Sequence, residues 1–241
     1  MKYLTSCKPD WNKIKNIGNI DYKKLHNNLI CSNAVSNKLI KSFDKLPIDK
    51  YLINNNPPTR FRKFSKYNIR THDINKYHIY NYNCNIFKQN VSDSRGNIRN
   101  FELIDTELIN DKWIIELLTN ISGLCIFNNN NKRINNIDIT LHQIRQLAYP
   151  NIKAHNSPEG IHKDGADYII SAFVINKKNI IGGKSIIYNE NKNKIYETII
   201  NNNEFIFQED KNLWHYVTPI EAYDSNYNGI RDIIGLDIKI N

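Results

Sequence analysis

From residue 137 the chain reads IDITLHQIRQLA (137–148). Between clusters of Asn and Gly it continues as YIISAFVI (168–175), SIIY (185–188), KIYETII (194–200), EFIFQ (204–208), HYVTP (215–219) and DIIGLDIKI (232–240). Each run is short, rich in branched or aromatic residues, and bounded by turn residues: Gly182-Gly183, Asn189 to Asn193, Asn201 to Asn203 and Asn226 to Gly229. Branched and aromatic side chains suit a pleated surface, and Asn and Gly suit the turns between strands. Seven short strands at nearly even spacing predict a sandwich or a barrel-like jelly roll, which manages its strand edges by closure or by packing two sheets. The C-terminal half is therefore expected to be all-β.

Residues 1–135 have a different texture. Val35, Leu39, Ile40 and Phe43 have helical spacing, and Pro47 ends that element, predicting a helix over Val35 to Leu46. Leu108, Ile109, Trp113, Ile114, Leu117 and Leu118 predict a second helix from Asp105 to Thr119, capped by Asp105 or Thr106 and followed by Gly123. The polar stretch from Asn54 to Asn100 predicts loops and short strands. The run Asn128 to Asn131 marks the clearest internal boundary. The expected organisation is a single domain, 1–241, in which a helical and loop region (1–135) packs on a β core (136–241) that carries the site.

Composition limits the function classes. The 241 residues are 40% hydrophobic and 24% charged, the proportions of an ordinary folded protein. No run approaches the ~18 apolar residues of a membrane helix. The opening MKYLTSCKPDWNKIK lacks the apolar segment of a signal peptide. Cys7, Cys31, Cys84 and Cys125 show no C-x-x-C spacing, which argues against a zinc ribbon or a disulfide scaffold and points to a cytoplasmic setting. The net charge of +9 invites a nucleic-acid reading, yet it rests on 25 Lys against 8 Arg, beside 40 Asn and 41 Ile, the skew of A- and T-rich codons. Arginine is the better fork for phosphate and is scarce, and the lysines are interleaved with asparagines instead of forming a tract. The expected meaning is a solvated lysine surface with no membrane partner, and nucleic-acid binding is kept only as the lesser alternative.

The chemistry concentrates around PEGIHKDG (158–165). His162 and Asp164 are two apart, so in an extended segment both side chains point to the same side. His215 follows 53 residues later, and Arg231 another 16 beyond. Two histidines and one carboxylate on a single face of a metal leave three positions open, the arrangement of non-haem iron(II) oxygenases. Those positions accept a bidentate 2-oxo acid and then dioxygen, and a cationic fork such as Arg231 would hold the far carboxylate. His and Asp two apart also occur by chance, and with 7 histidines a later one is nearly guaranteed. Spacing alone leaves a metal site and plain strand packing both open.

Residues 141–240 resemble the small bacterial 2-oxoglutarate/iron dioxygenase family that includes L-isoleucine 4-hydroxylase (isoleucine dioxygenase). The matching stretches are LHQIR (141–145), IHKD (161–164), IGG (181–183), HYVTP (215–219) and RDI (231–233), with a weaker match at RFRKFS (60–65). The resemblance implies a mainly β fold with flanking helices around a double-stranded β-helix (jelly roll, cupin-like). It implies Fe(II) held by His162, Asp164 and His215, 2-oxoglutarate paired with Arg231, and O2 as the other co-substrate. The implied reaction hydroxylates an aliphatic C–H of a free L-amino acid, releasing succinate and CO2. Gly182-Gly183 would turn tightly near the barrel mouth. One position departs from the isoleucine hydroxylase pattern: Gly165 follows Asp164 where that pattern has a second acidic residue. The same chemistry on a tethered or peptide-embedded residue, or a non-catalytic β-barrel binding module, are the alternatives.

Substrate contacts depend on which way the first strand of the core faces. Gln143, Arg145 and Leu147 share one face; His142, Ile144 and Gln146 share the other. If the first face looks inward, Arg145 and Gln143 become substrate contacts, with Arg145 pairing a carboxylate. If it looks outward, Arg145 makes a salt bridge on the barrel surface. Arg60 and Arg62 could act from an N-terminal lid but are expected in a solvated loop, Trp214 and Tyr216 in packing positions, and His155 at the surface.

Overall fold

The computed structural model describes residues 1–52, 57–73, 75–88, 98–130 and 134–241 of the chain. The first half contains β1 (Lys2–Cys7), α1 (Trp11–Ile17), β2 (Tyr22–His26), α2 (Asn27–Ile30), α3 (Asn37–Ser42), β3 (Arg60–Asp73), β4 (Lys76–Tyr82), β5 (Ile86–Lys88), β6 (Ile98–Asn100) and α4 (Lys112–Asn128). The second half contains β7 (Asn136–Ala148), β8 (Tyr168–Lys178), β9 (Ile180–Gly182), β10 (Lys184–Tyr188) and β11 (Lys194–Ile199). It ends with β12 (Glu204–Glu209), β13 (Trp214–Val217), β14 (Ile220–Ala222) and β15 (Gly229–Ile240). All seven strands expected after residue 136 are present, and the short β9 and β14 join them. No described helix is long and apolar enough to cross a membrane.

The strands build an eight-stranded antiparallel sheet in the order β1-β4-β3-β7-β15-β8-β12-β2, with a three-stranded sheet, β11-β10-β13, and two ribbons, β14-β9 and β5-β6. The fold is a mainly β jelly roll with flanking helices. Side chains alternate across each strand, so the large sheet has two faces with different neighbours. On one face Ile139 and Leu141 of β7 and Ile234, Leu236 and Ile238 of β15 pack with Trp113, Ile114, Leu117 and Leu118 of α4. On the other, Ile233 of β15 and Val174 of β8 pack with Ile187 of β10, closing the space between the two sheets. Both faces are buried, and each fully buried Leu or Ile contributes about 1.5–3 kcal/mol before entropy is counted. The face toward β10 and β13 is called inward below.

The N-terminal half is more β-rich than its composition predicts. Within the stretch read as loops and short strands, β3 is a 14-residue strand. It pairs with β7 from Arg60↔Gln146 to Arg70↔Asn136, and with β4 on its other side. Its alternation is masked because Arg60 and Arg62, although buried, face inward where an ordinary core strand carries apolar residues, while Tyr67 and Ile69 enter the main core. The rest of that polar stretch falls partly outside the described residues, as does the end of the Asn128 to Asn131 run.

The helices shift for local reasons. α4 begins seven residues later than its apolar spacing predicts, because Asp111, and neither Asp105 nor Thr106, accepts from the N–H groups of Trp113 and Ile114. It also runs through Gly123, where a Cβ would meet Ile14 Cδ1 and Pro9 Cβ; the glycine lets α1 pack tightly on α4. α3 is capped by Ser36 and gives way to a 3-10 turn, Phe43–Lys45, just before Pro47.

Candidate metal centre and co-substrate pocket

His162 lies in the connection between β7 and β8, and its backbone pairs with His215 of β13 through two hydrogen bonds, 3.0 and 2.9 Å. A hydrogen-bonded antiparallel pair sets both side chains on one side, and the two rings stand 4.2 Å apart. Asp164 reaches both: Oδ1 lies 3.7 Å from His162 Nε2, and Oδ2 lies 3.4 Å from His215 Nε2. The ligand atoms of His162, Asp164 and His215 all fall within 4.8 Å of one another. Bonds of roughly 2.0–2.2 Å meeting near right angles place donor atoms about 3 Å apart, so small adjustments close this set on one cation.

The surroundings orient these ligands. His162 Nδ1 lies 2.9 Å from the Gly160 carbonyl, which fixes its proton there and leaves Nε2 free to bind a metal. Asp210 is fully buried and accepts from the N–H groups of Asp164 (3.2 Å), Gly165 (2.7 Å) and Ala166 (3.0 Å). Its Oδ1 also stands 3.8 Å from His215 Nδ1, which has no hydrogen-bond partner among the described residues. One carboxylate thus holds the Asp164 loop and faces the ring of the second histidine. Gly165 has φ of 78°, a conformation glycine adopts without strain, in the segment that offers its N–H groups to Asp210. Burial, with Asp237, Asp210 and Glu159 nearby, pushes the Asp164 carboxyl well above the usual range. Burial and His162 push the His215 imidazole well below its own. A divalent cation offsets such crowding of acids and suits neutral imidazoles.

Arg231 sits opposite Gln146 on the inward face of β15 and is 1% exposed. Its Nη1 donates to Gln146 Oε1 at 3.3 Å, while Nη2 is buried with no partner among the described residues. Burial pushes the guanidinium down to about 10. Gly182 and Gly183 both have positive φ, 80° and 65°; a Cβ on Gly182 would collide with the Pro219 carbonyl, and one on Gly183 would sit 3.8 Å from Arg231 Cζ. The Ser185 hydroxyl, two residues further on, and Gln146 Nε2 are also buried donors without partners among the described residues. A buried cation beside unused donors is costly unless an anion arrives, and a carboxylate of 2-oxoglutarate suits this set.

The two residues read as substrate contacts are not brought to the triad. β7 turns Gln143 and Arg145 toward the helices: Gln143 donates to Ser42 Oγ, and Arg145 binds Asp232 and Asp44. The inward residues of β7 are His142, Ile144 and Gln146, which lie in register with Gly235, Ile233 and Arg231. Trp214 points away from the site, with Lys163 and Lys192 Nζ 5.1 and 4.2 Å from its ring centre, and His155 is exposed. Arg60 and Arg62 lie in no solvated loop; they line the triad cavity with Arg99, Phe87, His142 and Asp237. A neighbouring cavity of about 400 Å³ shares Phe87, Asp164 and Asp237 with it. Sequence reasoning missed Gln146, Asp210, Arg99 and Asp237. Only Gln146 had a local signal, its place on one of the two faces of β7.

The sequence matches the 2OG-Fe dioxygenase family over residues 40–237. No curated protein matches it. Among solved structures the fold is similar to IDO from Bacillus thuringiensis, with TM-score 0.72 and 19% identity over 96% of this chain and 99% of that one. It is similar to a bsmA homolog from Methylobium petroleophilum PM1, with TM-score 0.71 and 17% identity over 84% and 79%. It is also similar to the Fe(II)/(alpha)ketoglutarate-dependent dioxygenase TqaL, with TM-score 0.65 and 14% identity over 96% and 87%. At these identities the likeness is one of fold. The family match spans most of the chain and takes in His162, Asp164, His215 and Arg231, and on that ground the protein belongs to the 2OG-Fe dioxygenase family.

Proposed function

We propose that the protein is an iron(II)- and 2-oxoglutarate-dependent hydroxylase that acts on an aliphatic C–H of a free L-amino acid. The observation that carries this reading is the convergence of the His162, Asp164 and His215 ligand atoms within 4.8 Å. Iron(II) bound there with 2-oxoglutarate and O2 supplies oxidative decarboxylation to succinate and CO2 and the oxygen for hydroxylation. The chain's own work is to hold and exclude. Arg231, positioned by Gln146, holds the far carboxylate of the co-substrate. The Gly160 carbonyl fixes the His162 ring, and Asp210 holds the Asp164 loop and faces the His215 ring. Phe64, Phe87 and Phe101 form an apolar cluster against His142 that keeps water from the cavity. No side chain needs to act as a general base. The amino-acid substrate is supported by the resemblance to the L-isoleucine 4-hydroxylase family, and a cytoplasmic setting accords with four free cysteines. The continuous pairing of β3 with β7 supports one working domain over the whole chain.

The test is anaerobic titration of metal-free protein with iron(II) and 2-oxoglutarate. A weak visible charge-transfer band is expected, and it should be lost in His215→Ala. A folded protein that never develops the band overturns the reading. A panel of the twenty amino acids, followed by mass spectrometry, then identifies the product.

A further inference from the structure

We propose that Arg62, with Arg99 beside it, is the subsite that binds a carboxylate of the substrate, so that the enzyme takes a free acid and not a residue tethered or embedded through its carboxyl group. The proposal rests on the iron/2-oxoglutarate reading of the site and adds to it the group that selects the substrate.

The register of the large sheet sets the inward side chains of β3, β7 and β15 in rows. The first row is Arg60–Gln146–Arg231, the second Arg62–Ile144–Ile233, and the third Phe64–His142–Gly235. Two strand spacings and one two-residue period put the Cα atoms of Arg62 and Arg231 roughly 12 Å apart. Arg62 also leans away from Arg231: its Nη2 bonds His142 Nδ1 in the third row, at 2.8 Å. The other side of His142 is taken by Asp237, with Nε2 2.9 Å from Oδ2. The two cations therefore serve two separate anions on one wall. Arg231 is assigned to the co-substrate, which leaves Arg62 for the substrate.

The environment of Arg62 is that of a receptor. The residue is 8% exposed, and its Nε is buried without a hydrogen bond to any described residue. Its guanidinium lies over Phe101 at 4.4 Å and Phe87 at 5.3 Å, and Arg99 lies over the same Phe87 ring at 5.0 Å. Aromatic faces attract a cation but offer its fork no hydrogen-bond acceptor. The adjacent Arg60 differs, because Asp49 holds its Nε at 2.8 Å and the Asn156 carbonyl takes Nη1 at 3.1 Å. Burial, with Arg60 and Arg99 nearby and only partly offset by Asp49 and Asp237, pushes the Arg62 guanidinium down to about 9. A carboxylate relieves that crowding, and its two oxygens match the planar fork. The subsite lines the triad cavity, so an acid held there presents its carbon chain to the metal centre.

The experiment uses the full chain loaded anaerobically with iron(II) and 2-oxoglutarate. The charge-transfer band is followed as the twenty L-amino acids, their carboxamides, and tripeptides carrying the same residue in the middle are added; oxygen is then admitted and succinate measured. At least one free acid should perturb the band and stimulate succinate, while its carboxamide and tripeptide do neither at the same concentration. Arg62→Gln should weaken binding of that acid roughly 30-fold or more, with a far smaller change in the 2-oxoglutarate Kd. Arg62→Lys, which keeps the charge without the fork, should fall between. A normal band with 2-oxoglutarate shows that each variant is folded. The proposal is overturned if a carboxamide or tripeptide binds as tightly as the acid, if Arg62→Gln leaves acid binding unchanged, or if no free acid perturbs an otherwise normal band. Failure of the band itself in wild type strikes the dioxygenase reading instead, so the two failures are told apart.

Discussion

Arg145 and Arg231 sit in neighbouring rungs of the same pair of strands and face opposite ways. Arg145, on the helix-covered face of β7, binds Asp232 through Nε and Nη2 at 2.6 and 2.9 Å, and Asp44 through Nη1 at 2.6 Å. Arg231, on the inward face of β15, has one hydrogen bond of 3.3 Å to Gln146 and a second nitrogen with no partner among the described residues. The first arginine is saturated by carboxylates that the fold provides. The second is desolvated and left short of an anion. A buried cation that the fold does not neutralise works against stability, so its presence points to a ligand. The comparison separates two arginines of one sheet: the outer one is engaged in folding, and the inner one is held for binding, while the inward Arg60 of β3 is already paired by Asp49.

Five substitutions sharpen or break that contrast. The largest effect belongs to the metal ligands: Asp164→Ala or His215→Ala should lower 2-oxoglutarate-dependent succinate formation by more than about 100-fold, since outer-sphere partners alone are worth 10–100-fold. Circular dichroism and the metal-free melting temperature should stay near wild type; full turnover in either variant removes the triad from the mechanism. Next, Arg231→Met should weaken 2-oxoglutarate roughly 30-fold or more in KM, yet leave the ligand-free protein as stable as wild type or more so. A clear drop in its metal-free melting temperature would place Arg231 with the structural arginines and collapse the contrast.

Asp210→Asn should weaken Mn(II) binding by about 10- to 100-fold, measured by calorimetry, because the amide NH2 must face either the N–H groups of Gly165 and Ala166 or the N–H of Asp164 and the His215 ring. Unchanged Mn(II) affinity would mean that Asp210 serves the loop alone. Last, Arg145→Met should cost roughly 2–3 kcal/mol in chemical denaturation and leave the 2-oxoglutarate KM unaltered. The loss is set below that of a wholly buried pair because the Arg145 side chain is 17% exposed. A shifted KM would show that the outer face takes part in binding after all.

Much of this was legible in the chain because it depends on local rules. The seven C-terminal strands follow from branched and aromatic runs cut by Asn and Gly, and the structure places each of them. The H-x-D pair was readable because residues two apart share a side, and the later His and Arg were readable from their order. Other features depend on what packs against what. A period of two is symmetric, so the alternation in LHQIRQ identifies two faces of β7 without saying which looks inward. Burial on both sides removes the usual apolar–polar cue: α4 covers Leu141, while Ile144 packs with the apolar cluster between the sheets. β3 was hidden for the same reason, since its inward positions carry Arg60 and Arg62.

Asp210, Arg99 and Asp237 carry no motif at all. They come from β6, from the β12–β13 connection and from the end of β15, and meet the site only when the jelly roll closes. The sequence by itself determined the strands and the pairing of His162 with Asp164 on one side of the chain, because each rests on short-range spacing. The tertiary structure alone decided which face became the pocket and which buried nitrogens have no hydrogen-bond partner among the described residues, because both follow from the packing of distant segments.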